Sequence, residues 1–112
     1  MKEDYPIFIH WYQTLGWLLD TIEKYPRNAR FSLASRISDL ALDILDGVID
    51  AIYCPKSRQN TLKQINLNLE KLRVLLRLSH DRQYISTRQY EHSARAINET
   101  GSMVGGWMKT GA

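Results

Sequence analysis

Two sets of charged side chains recur at helical spacing and could do chemistry. Asp39, Asp43, Asp46 and Asp50 stand at i, i+4, i+7 and i+11. Wound at roughly 100° per residue, they form one line on a helix. Carboxylates in line invite a divalent cation. A calcium-like ion is enclosed by about six to eight oxygens, however, and a single row encloses nothing. No His or Glu joins the row, so no metal site is assigned. A solvated face suits the row better, or a salt-bridge surface for a basic neighbour. The second set is basic. Lys63, Arg73 and Arg77 lie near one line of a later helix, with Lys71 across from them. Arg58 and Lys56 sit near the start of that helix. A guanidinium is planar and suited to bidentate phosphate contact. Such a face would hold an anionic polymer by neutralising phosphates, with an affinity that falls as salt rises. Plain solvation is the competing reading for each of these cations.

Other reactive groups do not assemble. There is no Gly-rich phosphate loop, no nucleophile elbow and no Cys/His cluster. Bundle di-metal sites use inward Glu-x-x-His pairs, whereas Glu91 and His92 are adjacent and point outward. His80 and Asp81 fall at a helix C-terminus, where His80 reads as a dipole-stabilised end residue rather than a base. Cys54, the one cysteine, cannot form an internal disulfide and reads as a small semi-buried residue beside a helix end. No catalytic residue and no cofactor is assigned.

A chain of 112 residues makes one domain and can bury a real core without metals or disulfides. The net charge of +3 is modest, but it is unevenly spread. Residues 1–56 carry 6 Lys/Arg against 8 Asp/Glu, while residues 57–112 carry 9 against 4. The asymmetry suggests a basic surface on one side of the molecule. No run is long enough to span a membrane, and MKEDYPIF lacks signal-peptide architecture. A cytoplasmic protein is the expectation.

These side chains need helices to position them, and every long segment has helical periodicity. Helices are expected at about 5–24, 31–53, 58–81 and 87–109, as one domain over 1–112. Asp4 is a plausible first cap, with Pro6 in the first turn. Phe8, Trp11, Tyr12, Leu15, Leu18, Leu19 and Ile22 form the first core stripe. Trp17 falls opposite, and is expected at a subunit contact, stacked on a base, or simply at the surface. Pro26 ends the helix. Ile37, Leu40, Ala41, Ile44, Leu45, Val48 and Ile52 line the second helix. In the third, Leu62, Ile65, Leu69, Leu72, Leu75 and Leu76 face the core. Leu67, Val74 and Leu78 lie roughly 180° away, so this helix has two apolar faces and the second asks for self-association. Ser86 and Gln89 make a capping box for the fourth helix. That helix carries Tyr90, Ala94, Ile97, Gly101, Val104 and Met108 on one stripe. Gly101, Gly105 and Gly106 imply close packing there or a helix end near Gly105, and Thr110-Gly111-Ala112 should fray. Four helices with short links predict an up-down-up-down antiparallel bundle, all-α, assembling into a ring-like homo-oligomer.

At its third and fourth helices the sequence resembles a known family. The matching stretches are Leu69-Glu70-Lys71-Leu72-Arg73-Val74-Leu75-Leu76-Arg77-Leu78, Tyr90-Glu91, and Glu99-Thr100-Gly101-Ser102-Met103-Val104-Gly105-Gly106-Trp107. Pro26-Arg27 followed by Arg30-Phe31 also fits. They resemble the accessory variability determinant (Avd) proteins of diversity-generating retroelements, within a wider group of four-helix-bundle proteins. The resemblance implies a pentameric, positively charged barrel, encoded by a bacterium or phage. It implies binding to template-repeat RNA or cDNA and to the element's reverse transcriptase, in support of mutagenic cDNA synthesis and retrohoming. The chemistry would belong to the polymerase. Arg73 and Arg77 match the family's basic Leu-Arg-x-x-Leu-Arg segment, whereas Lys63, Lys71, Arg58 and Lys56 rest on the helical wheel alone. The alternative is a structural oligomeric adaptor of the wider group. It would bind a protein partner through Trp17 or the acidic line, without nucleic acid.

Overall fold

A computed structural model of the chain describes residues 1–110. Four α-helices carry the structure: α1 (Pro6–Ile22), α2 (Ser35–Tyr53), α3 (Arg58–Asp81) and α4 (Thr87–Thr110). Each packs on the next, and α4 closes back on α1. Contacts between distant residues set the directions. Gln59 reaches Met108 while His80 reaches Thr87, so α3 and α4 run antiparallel. Tyr5 packs against Trp107 and Trp17 against His92, so α1 and α4 do too. The molecule is a four-helix bundle, all-α over the described residues.

The core follows the apolar periodicity. Trp11, Ile37, Ile44, Val48, Leu62 and Leu72 have no exposed surface at all. The Trp11 indole N–H donates to the Ala41 carbonyl at 3.0 Å, which gives the buried ring its polar partner. One member of the α1 stripe sits elsewhere than the spacing suggests. Tyr12 is exposed, because α1 turns Ile7 inward instead. The buried side of α4 runs through Ser93, Ala96, Ile97, Thr100 and Val104. Its hydroxyls reach carbonyls three or four residues back: Ser93 donates to Tyr90, and Thr100 to Ala96. Small polar side chains that satisfy themselves within their own helix can therefore enter the core.

The ends differ from expectation more than the middles do. Asp4 does not cap α1. It belongs to a 3₁₀ turn, Lys2–Asp4, and pairs with the N-terminal amine at 3.2 Å, while extended Tyr5 leads into Pro6. α2 begins at Ser35, not Phe31. The intervening residues form a 3₁₀ turn (Arg27–Ala29) and a wide π turn (Arg30–Ala34). The reason is spacing: Ala29 and Ala34 are both buried and five apart, which suits a π turn rather than an α turn. The same turn throws Phe31 into solvent, 90% exposed. The Ser86–Gln89 capping box forms as the sequence indicates, with bonds of 2.8 and 3.1 Å. α4 continues through Gly101, Gly105 and Gly106, and a Cβ at any of the three would meet nothing within 4 Å. Those glycines are not tightly packed within the chain. The close approach is at Gly47, where a Cβ would lie 2.9 Å from Ile65 Cγ1. Thr110 is helical, and Gly111 and Ala112 lie outside the described residues. Cys54 is exposed rather than semi-buried, because the chain leaves α2 there for the Pro55–Ser57 turn.

Candidate nucleic-acid interface

The site is the outward face of α3. Burying Leu62, Ile65, Leu69, Leu72 and Leu76 fixes the rotation of the helix. That rotation presents Leu67, Val74 and Leu78 to solvent at 49%, 56% and 44% exposure. Single exposed apolar residues are ordinary on a protein surface, but three in one line are a continuous apolar strip. Lys63 and Arg77 are exposed on the α4 side of the strip, and Lys71 is exposed on the α2 side.

Two of the other cations, Arg73 and Arg58, have structural work. Arg73 is hydrogen-bonded to Glu70 and donates through Nη2 to Asn98 Oδ1 at 3.0 Å, tying α3 to α4. Its side chain keeps 36% of its surface exposed. Arg58 is placed differently from the sequence-based expectation. Its Nε donates to the Ala51 carbonyl at 2.6 Å and its Nη2 to the Ile52 carbonyl at 3.3 Å. Those carbonyls belong to the last turn of α2, which has no intrahelical donors left. A cation there also meets the negative end of the helix dipole. The guanidinium lies 5.0 Å from the Trp107 ring centre, so it joins α2, α3 and α4 at once. Arg58 thus caps the C-terminus of α2. Lys56 stays exposed in the Pro55–Ser57 turn at that same end, a helix length away from Arg77.

Trp17, expected at a subunit contact, packs within the chain against α4. It is half-buried, 4.4 Å from the His92 ring, in a groove of about 220 Å³ between α1 and α4. His10 closes the groove floor: Nε2 lies 3.0 Å from the Ala96 carbonyl and Nδ1 3.7 Å from Glu99. The indole is a packing element of the α1–α4 seam. Lys71 lines a larger groove of about 680 Å³ between α2 and α3, and its other wall is Asp39, Asp43, Asp46 and Asp50. The four carboxylates make no ion pair among the described residues. Arg36 shares that groove. It also meets Arg82 and Leu78 around a cavity of about 440 Å³ at the C-terminal end of α3. Arg36 lies outside the basic set that helical spacing picks out. Its position three residues before Asp39 was the available signal.

The structure thus brings Lys63, Arg73 and Arg77 to one flank and leaves Lys71 on the other. It sets Arg58 and Trp17 to work inside the bundle. The resulting face sets a few cations beside apolar side chains. None of the helices is long and apolar enough to cross a membrane. No curated protein matches the sequence. A family model described as bAvd-like matches residues 8–111, which runs from the first turn of α1 through α4 and includes both flanks of the α3 face; the chain belongs to the bAvd-like family.

Proposed function

We infer that this protein is a non-enzymatic accessory factor of a diversity-generating retroelement. It works in the cytoplasm as a homo-oligomer, a ring of five. It binds template-repeat RNA or its cDNA together with the element's reverse transcriptase, and so supports mutagenic cDNA synthesis and retrohoming. The observation that carries this reading is the bAvd-like match over residues 8–111. The α3 face supports it physically. Arg77 and Lys63 are exposed there without an ion pair among the described residues. A ring would repeat that pair once per subunit, and phosphate affinity grows with the number of cations engaged.

Fluorescence anisotropy with a structured RNA at low salt is the test. The wild-type protein should bind. Arg77→Ala with Lys63→Ala should weaken binding by about tenfold or more, and the effect should shrink as salt rises. Arg58→Ala should instead lower stability by about 1–3 kcal/mol in urea unfolding, since it uncaps α2. Absence of RNA binding, or binding indifferent to the Arg77 and Lys63 changes, would remove the nucleic-acid part of the reading.

The adaptor reading keeps one observation of its own. The four unpaired aspartates beside the exposed Leu42 and Tyr53 would suit a basic protein better than an RNA. A complex with a basic protein partner that Asp43→Asn plus Asp46→Asn abolishes, in a protein that ignores RNA, would favour it.

A further inference from the structure

The outer faces of α2 and α3 carry the same pattern with opposite charge. On α2, Leu42, Ile49 and Tyr53 stand at i, i+7 and i+11, within roughly 40° of one another. On α3, Leu67, Val74 and Leu78 repeat that spacing. Leu42 is 42% exposed and Tyr53 57%, close to the values on α3, and Ile49 is half-buried between them. Beside the α2 strip runs the unpaired aspartate line. Beside the α3 strip stand Lys71 on one flank and Lys63 with Arg77 on the other. Any orientation of one strip along the other therefore sets a cation against the aspartates. The lengths agree as well. Asp39 to Asp50 covers roughly 16 Å and Leu67 to Leu78 the same, at about 1.5 Å per residue.

Each face alone is a liability. Apposed, they exclude water from two apolar strips and pair charges that form no ion pair among the described residues. Like faces would not serve. Two α2 faces would bring aspartate lines together, and two α3 faces would bring cations together. We propose that the α2 outer face of one copy docks on the α3 outer face of the next, a head-to-tail contact between two different surfaces of the same chain. A contact of this kind leaves one face free at each end of a pair, so it propagates until it closes on itself. The proposal rests on the self-association in the reading above and on no property of RNA or polymerase.

Two variants test it by light scattering and gel filtration without nucleic acid. One disables the α2 face, Leu42→Glu with Tyr53→Gln. The other disables the α3 face, Leu67→Glu with Val74→Glu. All four positions are exposed, so helix content by circular dichroism should match wild type. Wild type should run as an oligomer larger than a dimer, and each variant alone as the 13.0 kDa chain. An equimolar mixture should give a heterodimer and nothing larger, since each variant supplies the face that the other lacks. A monomeric wild type would overturn self-association itself. An oligomeric wild type with a variant that still self-assembles, or with a mixture that stays monomeric, would overturn this pairing alone. Should either variant lose helix content, Leu42→Gln and Val74→Gln replace them in the same mixing experiment.

Discussion

Tyr25 is a hydroxyl in the wrong solvent. The ring is 4% exposed, packs on Tyr84 at 5.5 Å, and its OH makes no hydrogen bond of normal geometry. The nearby Ser79 hydroxyl donates to the Leu75 carbonyl instead. Burial pushes the phenol above its ordinary pKa, against a smaller opposing pull from Ser79. Below about pH 10 both folded and unfolded chains hold the proton, and the phenol leaves stability alone. Above it the unfolded chain releases the proton first, so stability falls as pH rises towards the raised value. Tyr25→Phe should flatten that alkaline limb and raise stability near pH 7 by about 1 kcal/mol, because the orphaned group is gone. Urea unfolding at several pH values measures both. Residue-level roles were the least legible in the sequence. The wheel put Arg58 on a surface flank, and it could not show that the α2 C-terminus lies within reach of the guanidinium. Trp17 faces away from the core stripe of its own helix, and only the position of α4 turns that polar side into a seam.

The elements divide between those set by periodicity and those set by junctions. The interiors of α2 and α3 were readable because a long apolar repeat has one rotation that buries it. The α1–α2 link was not, since a π turn leaves no signature in a wheel drawn at constant pitch. Glycines gave the opposite lesson. The small-residue stretch of α4 suggested close packing, yet space is open there, and the true close approach is the lone Gly47. Gly47→Ala should therefore destabilise by about 1–2 kcal/mol, although alanine is the better helix former. The added methyl meets Ile65, which is itself 1% exposed and hemmed in. Gly105→Ala should do the reverse and stabilise the chain by about 0.5–1 kcal/mol. Thermal unfolding of the two variants side by side would show the opposite signs. At the α3 C-terminus, Gln83 adopts a left-handed φ of 62° and closes a cap with Gln83 N to His80 O and Tyr84 N to Ser79 O, each 2.9 Å. A glycine is usual there, yet the helix ends at Asp81, as the sequence predicts.

For the molecule as a whole, fold class and family could be read from the sequence, because helix count, order and the α4 glycine-tryptophan stretch survive without coordinates. The distribution of apolar surface was half legible. The two-faced α3 was visible, while the matching strip on α2 was masked by its aspartates. Salt separates the two activities proposed for these surfaces. Phosphate binding should fall by orders of magnitude over roughly a tenfold rise in salt. Assembly, which rests mainly on apolar strips, should persist. Anisotropy and light scattering across one salt series should give diverging curves, and curves that fall together would mean that RNA holds the subunits. The π turn has a consequence of another kind, in chain length. It holds one residue more than an α turn would need to climb the same height. A single deletion between Arg30 and Ala34 would straighten the path and retire the exposed ring of Phe31. It would leave every core contact of Ile37–Ile52 in register, so the bundle has a place where its length can drift by one.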